Sequence, residues 1–191
     1  MAISAHKFGG PKGVGALIVR EGVAFEPIVL GGGQERDRRS GTHNVAGIVA
    51  MAEALRATDA ERAHEVARVD VLREQLMQGL LSIDGVRRTV PRDVSVPGVA
   101  HVCIADIESE SLLFLLDEAG VCASSASACA SGAMEPSHVL AAMGVEPTLS
   151  VGALRLSMGH TTTPDDVRRT VEVVSTSVSR IREASARLKR P

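Results

Sequence analysis

The chain has 191 residues, 21 Lys and Arg against 23 Asp and Glu, and a formal net charge of −2, enough length for one large domain or one and a half small ones. That charge balance excludes the basic surface a nucleic-acid-binding protein presents. Three Phe, no Trp and no Tyr exclude aromatic platforms for bases or sugars and leave the core to Val, Leu, Ile, Ala and Met.

Near the start, Ser4-Ala5-His6-Lys7 precedes the glycine-rich run Gly9-Gly10-Pro11-Lys12-Gly13-Val14-Gly15. Gly15 to Arg20 is apolar, β-branched and bounded by glycine, which predicts a buried strand. Ala24 to Leu30 predicts a second extended piece, Gly31-Gly32-Gly33 breaks regular structure, and residues 35–42 form a charged loop. Asn44 to Leu55 has helical composition. Thr58, with Glu61 three residues on, predicts the N-cap of a further helix running to about Leu81. Val66, Val69, Leu72, Leu76 and Leu80 are spaced for its buried face, and Gly85 ends it. His101 to Ala105 predicts a strand, Ser109 to Glu118 an amphipathic helix closed by Gly120, and Val121 to Ala123 the start of another strand. A helix follows from Pro136 through Met143, closed by Gly144. Ala153 to Ser157 predicts a strand, and Thr163-Pro164-Asp165-Asp166 opens a final helix to Leu188. From about Thr58 the alternation describes a layered α+β or α/β domain. The part through about Leu55 offers two strands and one helix, too little to bury a core, and reads as the tail of something larger.

Cys103, Cys122 and Cys129 are odd in number and contain no CxxC pair, which argues against a disulfide framework or a structural zinc site. Cys103 and Cys122 lie in apolar runs and are expected in the core. Cys129 lies among small residues, Ser124-Ser125-Ala126-Ser127-Ala128-Cys129-Ala130-Ser131-Gly132, a composition suited to a moving loop and a reactive thiol, provided its pKa is lowered. Lys7 is either a solvated surface lysine or an amine beside an anion-binding run of backbone N–H groups, where it can form a Schiff base with a phosphorylated aldehyde. Arg155, between Leu154 and Leu156, is either one half of a structural ion pair or a clamp for a carboxylate. His101, His138 and His160 show no metal-ligand spacing and read as structural or surface residues. No run is apolar for long enough to cross a bilayer and the N-terminus lacks a signal-peptide layout, so the cytoplasm is the expected location, without a membrane partner.

Several of these segments together resemble the pyridoxal-phosphate cysteine desulfurases of the class V aminotransferase family. Ser4-Ala5-His6-Lys7 with Gly10-Pro11-Lys12-Gly13 looks like the cofactor-lysine motif, and Gly31-Gly32-Gly33-Gln34-Glu35 and Arg39-Ser40-Gly41-Thr42 match two further motifs in the same order. Ser127-Ala128-Cys129, followed by Glu135-Pro136-Ser137, resembles the active-site loop of the long-loop subgroup that supplies sulfur for iron–sulfur cluster assembly. Leu154-Arg155-Leu156-Ser157 resembles the carboxylate-binding strand. The resemblance implies an α/β fold. Residues 1–57 would be part of the large domain of a fold-type-I pyridoxal-phosphate transferase, and residues 58–191 an intact small α+β C-terminal domain.

The resemblance also implies roles. Lys7 holds pyridoxal 5'-phosphate covalently and later acts as the base at the substrate Cα. Ser4, Ala5 and His6 bind the cofactor, Ser4 and His6 at its phosphate. Thr42 reaches the phosphate site of the partner subunit in a homodimer. Arg155 holds the carboxylate of L-cysteine, and Cys129 takes its sulfur as a persulfide, leaving alanine. The implied partner is an iron–sulfur scaffold or another sulfur-acceptor protein. No resident metal is implied, only a transient iron–sulfur contact at Cys129. Family members carry the aspartate that pairs with the pyridine nitrogen, and the histidine stacked on the ring, ahead of the lysine. Only six residues precede Lys7 here, so the expectation is that this chain alone has little or no desulfurase activity, or serves only in dimerisation or docking.

Overall fold

The computed structural model describes residues 1–125 and 137–188, and the chain divides into two compact units, Met1–His64 and Glu65–Pro191. In the first, β1 (Ala2–Ser4) and β2 (Gly15–Leu17) pair antiparallel, with Ile3 opposite Ala16 and Ser4 opposite Gly15. A 3-10 turn over Ala5–Phe8 follows β1. The predicted buried strand over Gly15 to Arg20 is corrected on both counts. It ends at Leu17, and Leu17 and Ile18 are 60% and 53% exposed. The reason is that a two-stranded ribbon buries neither of its own faces. Ala24 to Leu30 forms no strand, and Ile28 stands almost wholly in solvent. Ala5 and Met51 are the buried apolar residues of this unit.

The helix α1 runs unbroken over Val45–Leu81, and the division between the units falls inside it. Asn44 starts it, its Oδ1 accepting from the Gly47 N–H at 3.1 Å. The separate start expected at Thr58 is absent: the Thr58 hydroxyl donates to the Phe8 carbonyl at 3.1 Å. A side chain turned to a distant carbonyl leaves the helical N–H groups around it to bond in the ordinary way.

The second unit is built on a three-stranded antiparallel sheet, order β3-β4-β5, from Val86–Arg88, Val99–Ile104 and Ala153–Ser157. Alternation turns Ala100, Val102, Ile104, Leu154 and Leu156 to one face. There they form one core with Leu72, Leu76 and Leu80 of α1, with Leu112 and Leu116 of α2 (Ser109–Glu118), and with Val167, Val174 and Val178 of α5 (Pro164–Leu188). Burying each of the Val, Leu and Ile side chains contributes roughly 1.5–3 kcal/mol. Helices α1 and α5 meet closely at Gly79, where a Cβ would lie 2.5 Å from Val171. The opposite face holds a smaller cluster of Cys103, Ala153 and Leu140. Val145 and Leu149 pack on it, around the short helices α3 (His138–Ala142) and α4 (Pro147–Ser150). Val121 to Ala123 is not a strand; among the described residues a single bridge joins Ser124 to Arg155 at the sheet edge.

An ion network ties α1 to the following segment. Arg73, almost fully buried, reaches Asp70 at 2.6 Å, Glu74 at 3.1 Å and the Ser95 hydroxyl at 2.6 Å, while Arg88 reaches Glu74 at 2.9 Å. The hydrogen bond from Arg88 is the main cause that holds the Glu74 carboxyl below its ordinary value. Burial opposes it, and the charges of Arg88, Arg73 and Arg92 add to it. A native pKa below the unfolded one adds stability that is complete above the ordinary value of 4.5 and is lost as pH falls through the native value. Urea midpoints taken from about pH 6 down to about pH 3 are therefore expected to fall more steeply for the wild type than for Glu74→Gln. Parallel profiles would refute this.

Candidate functional site

Three of the residues picked out at the N-terminus sit on a tight turn. Ser4 ends β1 with extended backbone and makes no capping bond through its side chain. Ala5 is fully buried and locked from both sides: its N–H donates to Val14 O at 3.1 Å and its carbonyl accepts from the Gly10 N–H at 2.9 Å. Glycine is required at position 10, since a Cβ there would lie 2.8 Å from the Ala5 Cβ. The lock leaves His6 and Lys7 exposed at the crest, and among the described residues the Lys7 ammonium has no partner. An amine without a partner among the described residues, following Ser4 and His6 along a backbone pinned at Ala5, fits a phosphorylated aldehyde cofactor such as pyridoxal phosphate.

Thr42 lies in the same unit, exposed, just after a strained stretch. Glu35, Arg36 and Asp37 have φ of 52°, 58° and 62°, three successive left-handed residues that each cost about 1–2 kcal/mol. The stretch is held by the buried Ser40, whose hydroxyl donates to Gly32 O at 2.5 Å, and by the Gly41 N–H donating to the Gln34 side chain at 2.9 Å. Strain of this kind persists where surrounding contacts over-determine it, and it collects at ligand sites.

Arg155 occupies the middle of β5, exposed, directly opposite His101 of β4. Among the described residues it takes part in no ion pair, so the structural-pair alternative finds no partner there. Its backbone is paired reciprocally with Ser124: the Arg155 N–H donates to Ser124 O at 2.8 Å and the Ser124 N–H to Arg155 O at 3.1 Å. The segment that leads to Cys129 is thus rooted on the strand that bears the guanidinium. Cys129 itself lies outside the described residues.

His101, read from sequence as a structural or surface residue, is half-buried on the same sheet face as Arg155, and its Nδ1 lies 2.6 Å from the Thr89 hydroxyl. Burial first, and then the charge of Arg155, hold its imidazole below the ordinary histidine value. Strand alternation placed His101 on the side opposite Ala100 and Val102. Only the register brings it to Arg155.

The two other cysteines part company. Cys103 is buried as expected, and burial pushes its thiol up to about 11. Cys122 is exposed, correcting its assignment to the core, because among the described residues its segment meets β5 at Ser124 alone and Cys122 itself lies outside the sheet. Iodoacetamide treatment at about pH 8 is expected to modify Cys122 in the native chain and Cys103 only after denaturation, as read by peptide mass spectrometry. Early modification of Cys103 would count against the burial. Among the described residues no group of three or more His, Cys, Asp or Glu is placed to hold a metal ion, and no helix is long and apolar enough to cross a membrane.

Comparison with known proteins adds an independent line. The aminotransferase class-V family profile matches residues 1–170. A cysteine desulfurase of Cereibacter sphaeroides is 44% identical over 187 residues, covering 97% of this chain and 47% of that protein. An IscS-like cysteine desulfurase of Mycobacterium tuberculosis is also 44% identical, over 97% of this chain and 48% of its own length. Among solved structures, a NifS-like protein superposes with a TM-score of 0.81 at 35% identity, over 93% of this chain and 45% of that one. The chain spans about half the length of the curated relatives it matches.

Proposed function

This chain belongs to the aminotransferase class-V family, and on that footing we propose that it carries the lysine, carboxylate clamp and sulfur-accepting thiol of a cysteine desulfurase. The observation that carries this reading is the reciprocal Ser124–Arg155 backbone pair, which roots the segment bearing a cysteine on the strand bearing the guanidinium. A clamp for an amino-acid carboxylate suits any amino-acid enzyme of the family. A thiol-bearing segment started from that same strand suits one that moves sulfur.

Pyridoxal phosphate, when bound, supplies the electron sink that makes the substrate Cα proton acidic. Lys7 holds the cofactor and then takes that proton at its Nζ. Ser4 and His6 donate to the phosphate, and Ala5 keeps the turn fixed. Arg155 binds the carboxylate of L-cysteine through paired N–H donors, which fixes the direction in which the substrate sulfur points. Cys129, as thiolate, attacks that sulfur: an S–S bond forms, the substrate C–S bond breaks with its electron pair left on Cβ, Cβ takes up a proton, and Lys7 Nζ returns the proton to Cα, so that alanine leaves. The persulfide then passes to an acceptor such as an iron–sulfur scaffold protein. We read Thr42 as serving the phosphate site of a second copy in a homodimer, and the setting as cytoplasmic.

The test is covalent trapping. The chain is mixed with pyridoxal phosphate, reduced with borohydride, digested and examined by mass spectrometry. The expected result is the cofactor mass on the peptide containing Lys7, absent from Lys7→Ala. Label spread evenly over surface lysines, Lys12 included, would defeat the assignment of Lys7.

A further inference from the structure

We propose that His101 is a second carboxylate-binding residue, donating from Nε2 to the same substrate carboxylate that Arg155 holds, with Thr89 fixing the ring. The proposal rests on the reading of Arg155 as the carboxylate clamp. It follows from a row of residues that runs straight across the sheet. Thr89 lies beside His101, with its hydroxyl 2.6 Å from Nδ1, and its backbone N–H donates to His101 O at 3.4 Å. His101 stands directly opposite Arg155, and Arg155 is bridged to Ser124. Residues directly opposite on antiparallel strands have Cβ atoms about 4.5–5.5 Å apart and point to the same face. The imidazole and the guanidinium are therefore neighbours, at the root of the segment that leads to the thiol.

Two ring states fit the Thr89 contact, one for each direction of the bond between the hydroxyl and Nδ1. The hydroxyl has one proton and two acceptors in reach, Nδ1 at 2.6 Å and His101 O at 3.2 Å. That carbonyl already accepts the Thr89 N–H, and Nδ1 is much the nearer. The proposed role takes the state in which the hydroxyl proton goes to Nδ1 and the ring proton sits on Nε2, a donor with no partner among the described residues. In the other state Nδ1–H donates to the hydroxyl, the hydroxyl donates to His101 O, and Nε2 is an acceptor. Burial and the neighbouring guanidinium keep the imidazole neutral near pH 7.

A carboxylate has room for this donor. Its two oxygens offer about four acceptor positions, and a bidentate arginine uses two. One step along the same face lies the dry patch of Cys103, Ala153 and Leu140. Low polarity next to the row strengthens a hydrogen bond to an anion.

The test uses the full chain with pyridoxal phosphate added and L-alanine as probe, since it has the substrate's carboxylate and amine but no sulfur to transfer. Side-chain nitrogens of histidine and arginine are followed by NMR. The expected results are a single Nε2–H tautomer for His101 in the wild type and a saturable shift of both His101 Nε2 and Arg155 Nε on adding L-alanine. His101→Leu weakens the affinity about tenfold, the scale of one hydrogen bond to a charged group. His101→Gln, which keeps a donor near Nε2, stays within about threefold of the wild type. Thr89→Val leaves the ring in place, abolishes the single tautomer and weakens binding, so the idea is tested even if His101→Leu fails to fold. Wild-type affinity in both His101→Leu and Thr89→Val, with binding lost in Arg155→Gln, overturns the role of His101 and leaves that of Arg155 standing. No saturable shift in the wild type, or wild-type affinity in Arg155→Gln, overturns the reading of Arg155 and this proposal with it.

Discussion

The Gly152→Ala variant is expected to lose more than about 3 kcal/mol of stability, with a drop in Tm on the order of 10 °C. Gly152 stands where α4 gives way to β5, and its carbonyl accepts the Ile104 N–H at 2.9 Å. A Cβ there would lie 2.0 Å from Ile104 O and 3.0 Å from both Ile104 C and Ile107 O. Every one of those atoms is backbone, so no rotamer change relieves the clash. Ile104 itself is fully buried in the core. Relief requires the two strands to part, which breaks pairing at the Cys103–Ala153 end of β4 and β5. Ordinary over-packing costs about 1–3 kcal/mol because side chains move first; here they cannot. Urea denaturation followed by far-UV circular dichroism measures the loss. A variant within about 1 kcal/mol of the wild type would mean that the two strands can separate locally at little cost.

Arg73→Ala is expected to cost about 3 kcal/mol, the lower end of what breaking a buried ion pair does. The low end applies because Glu74 keeps Arg88 and Asp70 keeps Arg92, at 2.9 Å and 3.0 Å, so neither acid is orphaned. What is lost is the tie from α1 to the Ser95 hydroxyl and the Val96 carbonyl, together with the packing of the arginine stem. Arg73 Nε is buried without a partner, so the wild-type arrangement already carries a desolvation cost. Arg73→Met keeps the stem and removes that cost, and is expected to recover part of the loss. If Met is as damaging as Ala in the same urea titration, the charge rather than the stem holds the segment.

Two capping signals of the same form show why parts of the fold were legible and others were not. Thr163 and Asp166 form a real box: the Asp166 N–H donates to the Thr163 hydroxyl at 3.2 Å, and its carboxylate accepts the Thr163 N–H at 2.9 Å. Thr58 and Glu61 have the same spacing and form none, because Phe8, fifty positions away in sequence, offers the Thr58 hydroxyl a carbonyl. Local spacing announces that a cap is available; only the folded chain decides whether it is used. The boundaries of α2 and β5 were readable because their apolar periods end at clear breaks. The three-residue β3 and the four-residue α4 are too short to have a period. At the site, Lys7 and Arg155 stood out by type and context, whereas Thr42 was reached only through the family resemblance. His101 did not stand out, since its meaning comes from a strand register that no single segment contains.

The scarcity of buried apolar side chains in residues 1–64 reaches into the thermodynamics of the whole chain. Exposure of apolar surface raises the heat capacity on unfolding by about 0.45 cal/mol/K per Å², and surface already in water adds nothing. The heat-capacity increment is therefore concentrated in residues 65–188, and the value per residue falls below the usual 12–15 cal/mol/K or so. Its stability curve is correspondingly flat, with less curvature toward the cold than a chain of this length ordinarily shows.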